Sequence, residues 1–170
     1  MGELEAAGSA QTRKTYLRHG ATEPLFGVSF AVLKSMLKRI KVDHELAIAL
    51  WNTGNYDARN LAVKVADPCA MSPAELDRWA RDATGPMCAN YVALLAIEGP
   101  HALVKVSEWL ASIHPLERTA GWSLLAQLAL RDESLPDGWF VDWLDTLERT
   151  IHAVGQRAVE EIGVERFEVC

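Results

Sequence analysis

The sequence lacks several features that would assign it at once to a broad class of protein. No apolar run approaches the roughly 20 residues that a membrane-spanning helix needs. The opening residues, MGELEAAGSAQTRK, contain no apolar core of a signal peptide. The cysteines are odd in number and widely spaced, which argues against a disulfide framework: Cys69, Cys88 and Cys170. These absences predict a cytoplasmic protein that does not contact a membrane.

Signatures of metal and cofactor binding are missing as well. The chain has no CxxC or HxxxH pair, and its histidines and cysteines do not cluster. It also lacks the glycine-rich phosphate-binding patterns GxGxxG and GxxxxGK[ST]. We therefore predict neither a metal nor an organic cofactor.

Charge is distributed unevenly along the chain. The 170 residues carry a formal net charge of −6, and 49% of them are hydrophobic, which is sufficient for one folded domain. Residues 1–42 contain seven bases and three acids, whereas the other 128 residues contain ten bases and twenty acids. An acidic total is not typical of a nucleic-acid-binding protein, but the basic N-terminal quarter is.

Helical patterns dominate the sequence, and strict two-residue alternation is nearly absent. Residues 1–12 are predicted to be a flexible tail, and a short helix is predicted from residue 13 to Gly20. In total the chain is predicted to have about nine or ten helices of 10–15 residues, joined by short turns. Because helix pairs recur every 25–40 residues, we predict an all-α fold, a HEAT-like α-solenoid of antiparallel helix pairs over residues 13–170 as a single domain. The alternative is an irregular helical bundle.

Local signals place the helix boundaries. A helix is predicted over Ser29–Lys41, with Phe30, Leu33, Leu37 and Ile40 as its buried stripe. Further helices are predicted from the N-cap Asp43 to Gly54, from Tyr56 to Ala66, and from the capping box Ser72–Glu75 to about Asp82. One helix is predicted after Gly85-Pro86 and another after Gly99-Pro100, the second with Leu103, Val106, Leu110 and Ile113 as its buried stripe. Two others are predicted over Leu116–Leu130 and from Trp139 to about Val154.

A lysine stripe lies beside the buried stripe of the Ser29–Lys41 helix. It consists of Lys34, Lys38 and Lys41, which could follow a phosphate backbone. Arg118 lies in the first turn of an apolar helix, where a cation opposes the helix dipole, and so it could face an external partner. The alternatives are a solvated helix face for the lysines and an ion pair with Glu117, Glu108 or Asp132 for Arg118.

The six tryptophans divide into two groups. Trp51, Trp79, Trp109 and Trp122 occupy apolar helical positions and are predicted to be core residues. Trp139 and Trp143 bracket Asp142, an arrangement that could stack on a base and stabilise a cation, or could simply pack.

Several segments together resemble a known family. They are Phe26-Gly27-Val28 before the lysine-rich helix, Leu46–Trp51, Asn55–Ala62, and Trp109 with Leu116–Trp122. From about Tyr16 to Val154 the chain is similar to the DNA alkylation repair enzymes built on HEAT-like repeats, the AlkD-like DNA glycosylases. The resemblance implies a DNA-facing groove and excision of cationic alkylpurines such as 3-methyladenine and 7-methylguanine. It also implies a carboxylate that stabilises the developing sugar cation.

One part of the family pattern is not retained. The family's central helix starts with a Trp, followed four residues later by the catalytic Asp, and these positions fall on Gly85 and Ala89. Asp82 and Asp142 remain as candidate carboxylates. Arg118 matches a family arginine that faces the DNA backbone. We therefore predict a DNA-alkylation-repair-like protein that binds duplex DNA. The alternatives are excision of alkylpurines, non-catalytic DNA binding, and a scaffold that binds a protein partner or forms a homodimer.

Overall fold

The computed structural model describes the backbone of residues 1–162 and the side chains of residues 1–152. Cys170 and the predicted helix end at Gly163 therefore lie outside the described residues. Within them the chain is helical, and its β pairing is one isolated bridge between Gly8 and Val28. The helices are α1 (Gly2–Ala6), α2 (Ala10–Arg18), α3 (Phe30–Ile40), α4 (His44–Asn52), α5 (Tyr56–Val65), α6 (Pro73–Arg81), α7 (Pro86–Ile97), α8 (Ala102–Leu110), α9 (Pro115–Arg131) and α10 (Asp137–Ile162).

The chain divides into two compact units. The first is Met1–Leu128 and the second is Ala129–Cys170, where the sequence predicted one domain from residue 13 onward. In the first unit, α4 packs against α5 and α6 packs against α7. Helix α5 also contacts α3 and α7, and α7 contacts α8, so α5 and α7 are central in this unit. In the part of the chain that the structure describes, no helix is both long and apolar enough to span a membrane.

The capping residues explain why the predicted helices begin where they do. The side chains of Ser29 and Asp43 accept hydrogen bonds from backbone N–H groups in the first turns of α3 and α4. Ser72 and Glu75 form the predicted capping box of α6, with Pro73 at its first position. The predicted helices from Ser29 to Asp82 are thereby confirmed to within one or two residues.

The N-terminal segment differs from the flexible tail predicted for residues 1–12. Residues Gly2–Ala6 form α1, and α2 begins at Ala10 rather than at residue 13. Leu4 explains the order because its side chain is only 3% exposed. Glu3, on the same short helix, accepts hydrogen bonds at 2.6 and 2.7 Å from the Arg39 guanidinium on α3.

A stacked tryptophan pair lies in the core of the first unit. The rings of Trp51 and Trp79 are parallel, with centroids 4.2 Å apart, and both are buried. Trp109 is buried as well, so three of the four predicted core tryptophans are confirmed, while Trp122 is half-buried. Cys88 is fully buried as a free thiol, and Cys69 is exposed.

Two predicted buried stripes are wrong in part. On α8 the buried residues are Ala102, Lys105, Val106 and Trp109, whereas Leu103 and Ile113 are exposed. Lys105 is buried there because its ammonium pairs with Asp77 at 2.7 Å, and Asp77 also accepts from the Trp109 indole at 2.8 Å. On α3 the fully buried residues are Leu33 and Met36, so the buried face is rotated and Phe30 remains 38% exposed.

Candidate nucleic-acid interface

The predicted lysine stripe lies on the solvent-exposed side of α3. Lys34, Lys38 and Lys41 are all exposed, and within the described residues none of the three forms an ion pair. Arg39, which follows Lys38, is different because it is paired with Glu3. Three cations of α3 are therefore available to an external anion.

A cavity of about 300 Å³ opens where α3, α5 and α7 meet, and one lysine of the stripe lines it. Its other walls are Phe30, Leu37, Lys64 and Tyr91. Phe30 and Leu37 were predicted to be core residues, and the rotation of α3 turns them toward this cavity instead. The cavity combines two ammonium groups with two aromatic rings, the side chains typical of surfaces that bind nucleic acids.

Ring contacts hold the aromatic walls of this cavity. Phe30 meets Tyr91 edge to face, with ring centroids 6.0 Å apart, and the Lys64 ammonium lies 3.8 Å from the centre of the Tyr91 ring. Burial lowers the pKa of Lys64 and raises the pKa of Tyr91. Burial penalises a charged group, and a bound anion would offset that penalty at Lys64.

A buried carboxylate fixes the loop that precedes α3. Asp57, which is 0% exposed, accepts hydrogen bonds from the backbone N–H groups of Phe26, Gly27 and Val28 at 2.6, 3.0 and 2.8 Å. The Tyr16 hydroxyl donates to the Val28 carbonyl oxygen at 2.8 Å. The Phe26-Gly27-Val28 segment of the family resemblance is thus held in place immediately before Phe30 and Lys34.

Arg59, from a second segment of the resemblance, faces the interior. Its guanidinium lies 4.9 Å from the centre of the Trp51 ring and donates to the backbone carbonyls of Trp51 and Asp82. Burial lowers its pKa. Arg59 therefore ties α4 and α5 to the end of α6.

Arg118 lies in the first turn of α9 and is half-exposed. Its guanidinium donates to the Ser112 carbonyl oxygen at 2.9 Å, whereas Glu117 pairs with Arg81 at 2.8 Å and Glu108 pairs with Lys105. Arg118 therefore does not form the ion pairs with Glu117 and Glu108 that the sequence suggested.

The two positions that carry the Trp and the catalytic Asp in the family hold other residue types here, and both are buried. Gly85 is buried at φ +136°, and a Cβ on it would lie 2.5 Å from the Gly20 carbonyl oxygen, so no tryptophan fits there. Ala89 is 0% exposed. A carboxylate that acts on DNA must face solvent. On this turn of α7 the residue after Ala89, Asn90, is half-exposed and so reaches solvent. An amide carries no net charge, so neither position provides a carboxylate.

The two remaining carboxylate candidates lie in different units. Asp82 is exposed at the C-terminal end of α6, where its backbone carbonyl accepts from Arg59. Asp142 is exposed on α10, between Trp139 and Trp143, whose rings are 6.1 Å apart and T-shaped.

Lys64 and Tyr91 are the interface residues that sequence reasoning missed. Each is an amphipathic side chain among mostly buried neighbours, Lys64 in α5 and Tyr91 in α7, where the sequence pattern predicts core residues. A lone lysine in the apolar run LAVKVA was the available signal, because a lysine in a central helix must reach a solvent-filled opening or a charged partner.

The comparisons with known proteins identify the family and the fold of the chain. A family model described as DNA alkylation repair enzyme matches residues 1–158. The chain belongs to the DNA alkylation repair enzyme family. The predicted resemblance and the all-helical HEAT-like fold are thereby confirmed.

The chain is also similar to individual proteins. A solved structure with a TM-score of 0.83 is 39% identical, and the match covers 89% of this chain and 66% of that one. It is described as representing a new family of proteins related to the HEAT-like repeat DNA glycosylases, with affinity for branched DNA structures. Two uncharacterized proteins, from Listeria innocua and Listeria monocytogenes, are each 25% identical over 131 residues, covering 74% of this chain and 58% of theirs. The chain thus spans less than two thirds of these relatives' lengths.

Proposed function

We propose that this protein binds DNA, including branched DNA, through the surface formed by α3, α5 and α7, and that it does not excise bases. The observation that carries the proposal is the grouping of Lys34 and Lys64 with Phe30 and Tyr91 around one cavity. Lys38 on α3 and Lys41 directly after it form no ion pair within the described part of the chain. Lysines supply the electrostatic attraction to phosphates, and the aromatic rings supply stacking surface. Support also comes from the related protein with affinity for branched DNA.

The α7 positions support the proposal that the protein does not excise bases. Cleavage of an N-glycosidic bond develops positive charge on the sugar, and a fixed negative charge nearby stabilises it. Ala89 offers no charge and no access to solvent, and Asn90 offers an uncharged amide. The expected result of an excision assay on methylated duplex DNA is release of 7-methylguanine and 3-methyladenine at the spontaneous rate. Faster release that Asp82→Asn or Asp142→Asn abolishes would show a working carboxylate at one of those positions.

Fluorescence anisotropy with labelled duplex and three-way-junction DNA tests the binding proposal. Affinity should fall with salt, and replacing Lys34, Lys38 and Lys64 with glutamine should reduce the slope of log K against log salt by about 2 to 3, since each lost phosphate contact contributes about 0.9. An unchanged slope would contradict the proposed surface. Arg118→Gln, tested separately, asks whether the first turn of α9 adds a further phosphate contact.

A protein-binding scaffold is the competing function. It requires no DNA affinity even at low salt, together with a partner or a second copy of the chain bound at the same surface. Anisotropy at low ionic strength separates the two, because the electrostatic part of DNA binding is strongest there.

A further inference from the structure

The cavity between α3, α5 and α7 has a second concavity beside it. This neighbour, of about 240 Å³, shares Lys64 and Tyr91 with the first and extends along the far side of Tyr91 to Glu98. Lys64 and Tyr91 thus line both a chamber whose charged side chains are basic and a neighbouring one that includes an acid. The chamber of about 300 Å³ reaches the lower end of the range of small-molecule sites.

The composition of the basic chamber restricts what it can hold. Two ammonium groups, Lys34 and Lys64, disfavour a purely apolar ligand because they would be desolvated without a counter-ion. The flat rings of Phe30 and Tyr91 and the side chain of Leu37 would contribute nothing to a bare phosphate. A ligand that uses all five side chains has a flat aromatic part and an anionic part.

The aromatic wall is available and is held in one place. Phe30 is 38% exposed, although its ring packs 5.7 Å from the Tyr16 ring and 6.0 Å from the Tyr91 ring. Tyr16 is anchored through its hydroxyl to the Val28 carbonyl, in the loop that Asp57 fixes. The exposed ring of Phe30 therefore needs little reorganisation to stack on a planar group.

Lys64 is arranged to receive the anionic part. Its ammonium lies over the Tyr91 ring, and within the described residues it has no carboxylate partner. Lys34 lines the same chamber from α3 and is also unpaired. Two ammonium groups that line one cavity together with two aromatic rings match a nucleotide, whose base can stack on a ring and whose phosphate can pair with the ammonium groups.

We propose that this chamber holds a single unpaired nucleotide of a DNA strand, with its base against Phe30 and Tyr91 and its phosphate between Lys34 and Lys64. The inference rests on the proposed DNA binding and adds the element that is recognised. Fully paired duplex keeps its bases stacked, whereas a branch point can present an unpaired one. The chamber would then distinguish a junction with unpaired nucleotides from a fully paired junction.

The test uses two three-way junctions of identical arms, one fully paired and one with two unpaired nucleotides at the branch, each carrying 2-aminopurine at the branch. The full-length protein should bind the unpaired junction about tenfold more tightly, within the range that one stacked base contributes. It should also quench the unpaired 2-aminopurine. The double variant Phe30→Leu/Tyr91→Leu should lose the quenching and the preference, so that it binds the two junctions with equal affinity. The matched variant Tyr91→Phe should keep both, and thermal melts verify that each variant is folded.

The outcomes separate this proposal from the function on which it rests. If neither junction binds, both fail. If both junctions bind equally without quenching, DNA binding stands and the chamber does not select unpaired nucleotides. If the folded Phe30→Leu/Tyr91→Leu variant still prefers the junction with unpaired nucleotides, the assignment to this chamber is overturned. It is also overturned if excess dAMP abolishes the quenching, because the free nucleotide would then be the ligand. For a double variant that does not fold, Lys34→Glu, at an exposed position, provides the second test, and it should remove the preference by repelling the phosphate.

Discussion

Asp57 shows how a single buried charge can organise a functional surface from a distance. It lies in the first turn of α5, where an acid ordinarily faces solvent and stabilises the helix dipole. Here its carboxylate is fully buried and accepts three backbone N–H groups from residues 26–28. Hydrogen bonds to a charged acceptor are stronger than neutral ones, so this carboxylate holds the start of α3 in position.

Replacing this acid with its amide should therefore destabilise the protein. Asp57→Asn leaves one oxygen and turns an NH₂ group toward backbone donors, so we expect a loss of about 2–4 kcal/mol in the free energy of unfolding, measured by urea titration. Asp132→Asn makes the same change at a turn acid that accepts from Ser134, and it should cost less than about 0.5 kcal/mol. Equal losses in the two variants would mean that Asp57 does not hold the loop.

Ala89 and Asn90 are neighbours with opposite tolerance for a carboxylate. Ala89→Asp places a charge in the core beneath α7, where Ala89 is 0% exposed, and we expect a loss of at least about 3 kcal/mol. Asn90→Asp adds a charge on the half-exposed side and should change stability by less than about 1 kcal/mol. Thermal and urea unfolding of both variants measure the difference. A stable Ala89→Asp protein would show that position 89 reaches solvent and would reopen it as a site.

At the scale of helices, capping residues set boundaries and also make stability depend on pH. The Ser72 hydroxyl and backbone N–H donate to Glu75, and these hydrogen bonds lower the pKa of the Glu75 carboxyl below its ordinary 4.5. A carboxyl whose pKa is lower in the folded protein stabilises it above the unfolded pKa. That contribution disappears as the pH falls through the folded pKa.

Ser72→Ala should consequently destabilise the protein by about 1 kcal/mol near neutral pH. The difference from the wild type should narrow as the pH falls below about 4.5 and Glu75 is protonated. Unfolding curves at a series of pH values measure both effects. Ser134→Ala removes a hydroxyl from a turn outside the helix starts and should show neither effect. A pH-independent loss in Ser72→Ala would mean that Glu75 contributes no charge-dependent stability.

Helix boundaries could be predicted from the sequence because their causes are local, but several buried faces could not. The starts of α3, α4 and α6 can be predicted from the residue types of their N-caps alone, which are Ser29, Asp43 and Ser72. Which side of α8 is buried depends on Asp77, which lies 28 residues before Lys105 and neutralises it. The rotation of α3 likewise depends on its packing against α5. Lys64 and Tyr91 were not predicted to line the cavity, because their exposure there likewise depends on how separate helices pack against one another.

At the scale of the whole molecule, the net charge of −6 is a poor guide to DNA binding, because what a phosphate meets is the local arrangement of charges. The basic excess of residues 1–42 includes two arginines that are already paired, Arg39 with Glu3 and Arg13 with Glu23. The unpaired cations of α3 are the lysines, and Lys34 meets Lys64 from α5 at one cavity. Because Glu3 and Glu23 pair with arginines, they do not pair with the lysines of α3, which remain available to an external ligand.

Two adjacent residues on α3 separate local from total charge. Lys38→Gln and Arg39→Gln each make the protein more negative by one unit, but Lys38 is unpaired whereas Arg39 is bonded to Glu3. We expect Lys38→Gln to weaken junction binding and to reduce the salt slope by about 0.9, since one phosphate contact is lost. Arg39→Gln should leave the slope nearly unchanged. Titrations by fluorescence anisotropy over a range of salt concentrations measure both slopes. If the two variants weaken binding equally, total charge governs the association, and the lysines of α3 have no special role in it.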